Sequence, residues 1–412
     1  MNTTLRAAFT ILHIMHDLDR AIAAASERQW SIAIAALQNL SLTQIQGDRQ
    51  VLNLTLQILT EGDFEQQWET GKIVPKVGEI AILPLLNLLN DPDVDLENRW
   101  CCARILGEFD RPPVIAALIA VIQTDADAEL TAIAIGSLTK IGAPAIAALT
   151  EILATPDLST TQRGMAVTIL TRIRHSQTIV PLIQALEDPD PQLRTVIVEA
   201  LGSFHDPRIP PLLLAKLTDV AASVRKAAAI SLSLRGDLAV ELNLSQHLRP
   251  LLFDLDFGVC EATALGLARL PDPSVVDILT EVLISPLTPD RLKSPVILAL
   301  GWIGSRAAID SAIAALAEIS NDLAPEIIIA ISKTEQERVY ASQQLVNYLY
   351  CHESAHLPIV KQEIAAALGN LGNKATVPAL GMLLDDADDR VRLYALTAMS
   401  KLTSIPTSYS AQ

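Results

Sequence analysis

The chain is poor in aromatic residues, and this shortage excludes one kind of hydrophobic core. Phe, Trp and Tyr together make up 4% of the 412 residues, whereas apolar residues as a whole make up 50%. Because Ala, Leu and Ile dominate that apolar share, the composition favours many thin layers of packed helices over one thick aromatic core. We therefore expect a repeat array.

Basic runs and long apolar runs are also missing. The 47 acidic residues outnumber the 31 basic ones, which gives a formal net charge of −16, and no run of Lys or Arg is long enough to follow a phosphate backbone. No apolar stretch reaches the roughly 18 residues that a membrane span requires. The sequence therefore predicts no nucleic-acid partner and no membrane insertion.

A repeating pattern occupies most of the chain. Segments such as DPDVDLENRWCCARILGEF and DPDPQLRTVIVEALGSF join an Asp-rich turn to a helix that ends in Leu and a small residue. We call the residue seven places before each such pair the rung position; successive rung positions are 31 to 35 residues apart, with one double spacing of 68. This regularity predicts an all-α fold, a right-handed α-solenoid of about ten helix pairs. The rung positions are Gln67, Arg99, Thr131, Arg163, Arg194, Arg225, Cys260, Lys293, Lys361 and Arg392.

Each repeat is interpreted as helix A, a short turn, helix B and an exit marked by Gly or Pro. Seven places after the rung position stands a predicted core residue, and a small residue follows it in almost every repeat, as close helix approach requires. These core residues are Val74, Leu106, Leu138, Leu170, Leu201, Leu232, Leu267, Leu300, Leu368 and Met399. Six repeats have an Asp four places before the rung position, where it can cap helix B. The predicted caps are Asp63, Asp95, Asp127, Asp190, Asp256 and Asp388.

Seven of the ten rung positions are Arg or Lys, and they stand close to those aspartates. We predict a ladder of ion pairs that runs from repeat to repeat along the turns. An exposed pair contributes about 0–1 kcal/mol. The ladder is therefore expected to fix the registration of the repeats, while stacked apolar faces supply most of the stability.

The pattern Asp-Pro-x-x-x-x-Arg followed by Ala-x-x-Leu-Gly, with Pro opening many A helices, resembles HEAT repeats. The short repeat form resembles the phycobilisome-lyase HEAT-like group found in cyanobacteria, over about residues 62–404. This resemblance implies a protein-binding scaffold or adaptor, with an IscA-type iron–sulfur carrier as a candidate partner. It leaves open a phycocyanobilin lyase subunit that acts on phycobiliproteins, because the repeat alone does not decide between the two.

Three segments are predicted along the chain. Residues 1–61 lack the period but have helical patterning, and we expect them to form an N-terminal helical cap on the first repeat. Residues 62–404 form the HEAT-like repeat solenoid. Residues 405–412 are predicted to be a disordered tail.

The candidate binding surface lies on the B helices, which line the concave groove in the HEAT-like solenoids that this chain resembles. Residues one and five places after the rung position share a stripe, and they are chemically mixed across repeats, which indicates a solvent-facing surface. Trp68 and Trp100 take the same place in consecutive repeats, with Lys72 and Arg104 one turn on, and such a composition is typical of binding hot spots. The predicted partner-binding residues are Trp68, Lys72, Trp100, Arg104, Glu108, Glu199, Arg269 and Trp302. Two alternatives stay open: both indoles pack as core, or they bind a planar ligand such as a bilin.

Motifs for catalysis are missing. The chain has no Gly-rich phosphate loop, no Ser nucleophile elbow and no paired-histidine zinc helix. Deoxyhypusine hydroxylase, a HEAT-like enzyme, needs several His-Glu pairs for its di-iron site, and this chain has one, His352-Glu353. We therefore expect no catalytic, cofactor-binding or metal-binding residues, with the lyase subunit as the alternative.

Four cysteines in a chain of this length do not form a disulfide framework, and they suit a reducing compartment, so we expect a cytoplasmic protein. Cys102 stands where other repeats have Ala or Ile and is interpreted as a buried structural thiol. Cys351, His352 and His356 could meet one metal ion, but without a CxxC pair we expect a solvated loop. The roles of Cys101 and Cys260 stay open.

Overall fold

The computed structural model describes residues 17–124 and 127–403, and all secondary structure in these ranges is helical. The chain divides into two compact units, Met1–Leu201 and Gly202–Gln412. The first unit contains α1 (17–26), α2 (Trp30–Asn39), α3 (Leu42–Ile45), α4 (Arg49–Glu61), α5 (Phe64–Thr70), α6 (Val74–Val77), α7 (Ile82–Asn90), α8 (Leu96–Leu106), α9 (Pro112–Thr124), α10 (Ala128–Ile141), α11 (Ile146–Ala154), α12 (Thr160–Ile173), α13 (Ile179–Gln184) and most of α14 (Pro191–Gly202). The predicted tail, 405–412, lies outside the described residues.

The second unit continues the same alternation of A and B helices. Its helices are α15 (Ile209–Lys216), α16 (Ala222–Ser233), α17 (Leu244–Leu248), α18 (Phe257–Leu267), α19 (Ser274–Ile284), α20 (Asp290–Ile303), α21 (Arg306–Ala315), α22 (Ala324–Ser332), α23 (Arg338–Cys351), α24 (Pro358–Leu371), α25 (Val377–Leu383) and α26 (Asp389–Thr403). A 3-10 helix, Arg249–Phe253, extends α17 toward α18.

Consecutive helices pair within each unit as the repeat period predicts. In the first unit α7 packs against α8, α9 against α10 and α11 against α12, and the B helices α8, α10 and α12 also pack on one another in sequence. In the second unit the B helices α16, α18, α20, α22, α24 and α26 form a similar series, each packed on the next. Each unit is therefore an α-solenoid, and the predicted fold class is confirmed.

The first repeat departs from this pattern because its B helix is split into α5 and α6. Pro75 lies in the first turn of α6. A proline cannot donate the backbone hydrogen bond that a helix interior needs, and it is best tolerated in a first turn. The N-terminal helices pack on this split helix: α2 and α4 contact α5, and α3 and α4 contact α6.

The predicted aspartate caps hold in five of six repeats. Oδ1 of Asp127 accepts from the backbone N–H of Leu130 at 2.7 Å, and Asp63, Asp190, Asp256 and Asp388 accept comparable bonds at the starts of their helices. Each bond satisfies a backbone donor that the first turn leaves free. Asp95 is the exception, because its side chain caps no N–H at the start of α8.

The predicted core positions are buried, and two of the glycines beside them allow neighbouring B helices to approach closely. Val74 and all eight leucines of the core series are at most 2% exposed, whereas Met399 is half-buried. A Cβ on Gly107 would lie 2.8 Å from Cβ of Ser137 in the next B helix, and a Cβ on Gly369 would lie 2.9 Å from Cβ of Ala398. Neighbouring B helices therefore touch at their backbones at these points, as the Leu-small pattern predicted.

The ion-pair ladder joins successive turns. Arg163 pairs with Asp188, Arg225 donates two bonds to Asp254 at 2.7 and 2.6 Å, and Lys361 Nζ lies 2.6 Å from Oδ2 of Asp386. In each case a rung residue reaches an aspartate that stands six places before the next rung position. The predicted connection from repeat to repeat is confirmed in these three places.

The side chains at the rung positions are more buried than the exposed ion pairs that the sequence predicts. Arg163 and Arg194 are 7% and 8% exposed. The guanidinium group of Arg194 also satisfies carbonyl groups of its own turn: its Nη1 donates to the carbonyl oxygens of Asp188 at 2.8 Å and Pro189 at 3.2 Å. The ladder therefore belongs to the packed interior of the turns, and its removal costs more than an exposed pair would.

Acid is expected to weaken the fold through these rungs. Arg225 holds the pKa of Asp254 below its usual range, and Lys361 does the same for Asp386. A carboxyl group with a lowered pKa in the folded state stabilises the fold above its unfolded pKa of about 3.9, and this contribution is lost as the pH falls through the folded value. We expect the urea midpoint to fall as the pH drops below about 5. An unchanged or rising midpoint between pH 5 and pH 2.5 would contradict this role.

In the described part of the chain, no single helix is both long enough and apolar enough to cross a membrane. The segments Ala128–Ile141 and Ala143–Ala154 reach the necessary length and composition only together, and they are bent by 110° at the break between them.

Candidate partner-binding surface

Trp68 lies at the centre of an exposed cluster in the first unit. Its side chain, on α5, is 45% exposed, and Cζ of Arg104, on α8, lies 4.0 Å from its ring centroid. Phe64, 62% exposed and one turn earlier on α5, stacks on the indole with a centroid distance of 6.4 Å. We call Phe64, Trp68 and Arg104 the Trp68 cluster. It combines an apolar surface with a fixed positive charge.

Gly71 allows Arg104 to reach across from the next repeat. A Cβ on Gly71 would lie 2.6 Å from Nη2 of Arg104, so any larger residue would displace the guanidinium group. That Nη2 atom is buried and has no hydrogen-bond partner, and no carboxylate of the described residues forms an ion pair with Arg104. The guanidinium group therefore packs on the indole ring beside the thiol of Cys101, and no carboxylate of the described residues balances its charge in an ion pair.

Trp100 does not duplicate Trp68, although the two have the same position in consecutive repeats. Its side chain is half-buried, and Nε1 donates to Oδ1 of Asp127 at 3.2 Å, the same carboxylate oxygen that caps α10. The two indoles make no ring contact with each other. Trp100 thus ties two repeats together, and the structure places Arg104 rather than Trp100 against Trp68.

The other predicted residues lie on the surface but outside the Trp68 cluster. Lys72 is exposed and pairs with Glu69, Glu108 is exposed and pairs with Lys140, and Glu199 is exposed on α14. In the second unit, Arg269 is exposed, and Trp302 is 53% exposed and borders a cavity of about 280 Å³. Of the eight predicted residues, Trp68 and Arg104 are the pair joined by a ring contact, and no hydrogen bond or ion pair joins any two of the eight.

Sequence reasoning missed Phe64. The segment FEQQW contains the signal, because residues four apart in a helix lie on one face. Phe64 is the first residue of α5 and stands three places before the rung position, outside the stripe of residues one and five places after it. Gly71 was missed as well, since its role depends on a side chain from the next repeat.

The cysteines are free thiols in a mostly buried setting. Cys102 is fully buried, which raises its pKa to about 12 and confirms the predicted structural thiol. Cys101 and Cys260 are also buried, and Cys351 is exposed. Within residues 17–124 and 127–403, no group of three His, Cys, Asp or Glu side chains is placed to hold a metal ion, and the ring of His352 stacks on Tyr348 at 4.7 Å.

Known families and structures agree with the helical repeats. The family described as HEAT repeats matches residues 82–163 and 157–233, and the PBS lyase HEAT-like repeat matches residues 360–386. No curated protein sequence matches the chain. Kap121p is similar in fold over 94% of this chain and 51% of its own, at 13% identity and a TM-score of 0.55, so this chain spans about half of its length.

Two further solved structures are similar to this chain to different degrees. Kap95p, in a structure that concerns its binding to RanGDP, covers 95% of this chain and 61% of its own, at 13% identity and a TM-score of 0.50. Human deoxyhypusine hydroxylase overlaps 63% of this chain and 96% of its own at 24% identity, but its TM-score of 0.28 is too low to bear on fold or function. The chain is therefore an α-solenoid that contains HEAT repeats over residues 82–233 and a PBS lyase HEAT-like repeat at residues 360–386.

Proposed function

We propose that the protein is a scaffold that binds another protein, and that the Trp68 cluster is the centre of its partner site. The observation that carries this proposal is an exposed indole with a stacked arginine whose charge is uncompensated among the described residues. Trp and Arg are the residues that most often dominate binding energy at protein interfaces. An arginine held in place by a ring loses little freedom when it pairs with a carboxylate, so the site suits an acidic partner surface.

The comparisons support this proposal at the level of the fold. HEAT repeats stack into extended surfaces of the kind that repeat proteins use for binding. The similar solenoid Kap95p binds a protein, RanGDP. All four cysteines are free thiols, which favours a cytoplasmic location for the scaffold.

For the identity of the partner, we favour an IscA-type iron–sulfur carrier. The chain resembles the stand-alone cyanobacterial HEAT protein IaiH, described as a partner of the A-type iron–sulfur scaffold protein, in its length and in the segments that surround Trp68 and Trp100. The segment DFEQQWETGKIVPKVGEIAILPLL contains both Phe64 and Trp68.

A titration of the purified protein with an IscA-type carrier tests this proposal. Trp68→Ala is expected to weaken binding by about 2 kcal/mol or more, which is about 30-fold. The helical signal and melting temperature should stay nearly unchanged, because the indole is almost half exposed. Leu83→Ala is the matched control, since Leu83 is 68% exposed on the A helix α7, and it should bind as the original protein does.

The same variants show which part of the proposal fails. If the carrier does not bind the original protein, affinity capture from a cyanobacterial lysate, read by mass spectrometry, tests whether the Trp68 cluster serves another partner. Proteins retained by the original protein and by Leu83→Ala, but lost with Trp68→Ala, would keep the site and replace the partner. If the original protein and both variants retained the same proteins, the Trp68 cluster would not be the binding site.

A lyase subunit for phycobilins is the second candidate function. The observation in its favour is the match of residues 360–386 to the PBS lyase HEAT-like repeat. Mixing the protein with phycocyanobilin and an apo-phycobiliprotein separates the two candidates. A lyase subunit should retain the bilin or speed its attachment, whereas a scaffold should leave the spontaneous rate unchanged.

A further inference from the structure

A cavity of about 500 Å³ lies in the second unit, between the turn before α18 and the turn before α20. Its walls come from residues 252–260 and 285–292 and are mostly apolar. Volumes of about 300–1,000 Å³ are usual for sites that bind small molecules. The cavity is not part of the Trp68 cluster, which belongs to the first unit.

This cavity occupies the place of a missing rung. Cys260 stands at a rung position, where most repeats have Arg or Lys, and Leu287 stands six places before the next rung position, Lys293. In the preceding repeat the equivalent residues are Arg225 and Asp254, which form a two-bond ion pair. Cys260 thus stands in place of the arginine of the pair, and Leu287 stands in place of its aspartate.

The thiol of Cys260 keeps one contact of the residue it replaces. Its Sγ donates to the carbonyl oxygen of Asp254 at 3.2 Å, just as Nη1 of Arg225 donates to the carbonyl oxygen of Asp219 at 2.8 Å. A cysteine side chain is several atoms shorter than an arginine side chain. The space that a guanidinium group would fill is therefore left open.

Two polar side chains in the wall form no hydrogen bond or ion pair with the described residues, whereas the carboxylate of Asp254, which also lines the cavity, is paired with Arg225. Thr288 is 6% exposed, and its buried hydroxyl has no hydrogen-bond partner. Buried hydroxyl groups normally have a hydrogen-bond partner, and a ligand in the cavity would supply the one that Thr288 lacks. Arg291 lies over the ring of Phe257, with Cζ 3.9 Å from its centroid, and no described carboxylate forms an ion pair with it.

We propose that this cavity is a binding site for a small organic anion with an apolar body, such as an aromatic or aliphatic carboxylate. The apolar body fills the space of the missing rung, the anionic group pairs with Arg291, and the hydroxyl of Thr288 donates to the ligand. The site takes a small molecule, and it does not depend on the proposed partner site in the first unit.

The fluorescent anion 1-anilinonaphthalene-8-sulfonate tests the charge requirement, with the uncharged N-phenyl-1-naphthylamine beside it. Arg291→Gln is expected to weaken binding of the anion about tenfold, which is one lost charge-assisted contact, and to leave the neutral probe nearly unaffected. Arg306→Gln is the matched control, because Arg306 also lies over an aromatic ring, that of Tyr340 at 5.0 Å. It should bind both probes as the original protein does.

Rebuilding the rung tests the location. Cys260→Arg combined with Leu287→Asp restores the pair found at Arg225 and Asp254 and fills the cavity, so both probes should lose their site. Leu287→Asp alone keeps the test valid if the double variant does not fold, since Leu287 is 91% exposed and its replacement spares the core. The new carboxylate should repel the anionic probe and weaken its binding about tenfold. The proposal would be overturned if a folded double variant still bound the anion fully. It would also be overturned if Leu287→Asp and Arg291→Gln both bound the anion as the original protein does, because the probe binding would then be nonspecific.

Discussion

Replacing Leu300 with alanine is expected to lower the free energy of unfolding by about 2–5 kcal/mol. Leu300 is 2% exposed on α20, a helix that packs against α18 on one side and α22 on the other. Truncation there leaves a cavity between stacked helices, which close packing does not let them fill. Leu201, fully buried on α14, should show a similar loss.

Urea melts followed by circular dichroism measure this effect against an exposed leucine. Leu396→Ala serves as the control, because Leu396 is 59% exposed on α26, and it should change the free energy of unfolding by about 0.5 kcal/mol or less. If Leu300→Ala melted like Leu396→Ala, the residue seven places after the rung position would not be the core position of the repeat.

Replacing Arg225 with methionine is expected to cost about 3–5 kcal/mol, because it leaves the carboxylate of Asp254 buried and unpaired. The two side chains are 16% and 10% exposed. Arg225 also donates to the carbonyl oxygen of Asp219, so a backbone acceptor loses its partner in the same variant. The loss arises from what is left behind rather than from the strength of the pair itself.

Two variants test this explanation. Arg111→Met breaks an exposed pair with Glu79, whose side chains are 50% and 67% exposed, and should cost about 1 kcal/mol or less. Combining Arg225→Met with Asp254→Leu removes both charges and should recover most of the stability. It should also make the acid dependence of the urea midpoint shallower. A double variant as unstable as Arg225→Met alone would contradict the assignment of the loss to an unpaired carboxylate.

Arg194→Ala is likewise expected to lower the free energy of unfolding by more than the loss of an exposed side chain would. As an exposed side chain it would contribute about 1 kcal/mol or less. It is 8% exposed and donates to two carbonyl groups, and a hydrogen bond that involves a charged group contributes about 1.5–3 kcal/mol. Burial of a rung depends on how the next turn packs over it, which no spacing in the sequence expresses.

The sequence by itself determined the features that depend on local order along the chain. The period of 31 to 35 residues, the aspartate caps, the Leu-small pairs and the basic rung positions all follow from helical geometry and turn chemistry within one repeat. Gly107 could be assigned to a close helix contact for this reason. Only the identity of the small side chain opposite, Ser137, came from the structure.

The tertiary structure alone decided which side chains of neighbouring repeats meet. Trp68 and Trp100 are equivalent in sequence, yet one carries Arg104 on its ring and the other donates to Asp127, because Gly71 leaves room for the guanidinium group in the first case. The cavity beside Cys260 likewise depends on two substitutions 27 residues apart that face each other only after folding. Contacts between repeats arise from the packing of one helix pair on the next, and the pattern within a single repeat does not contain them.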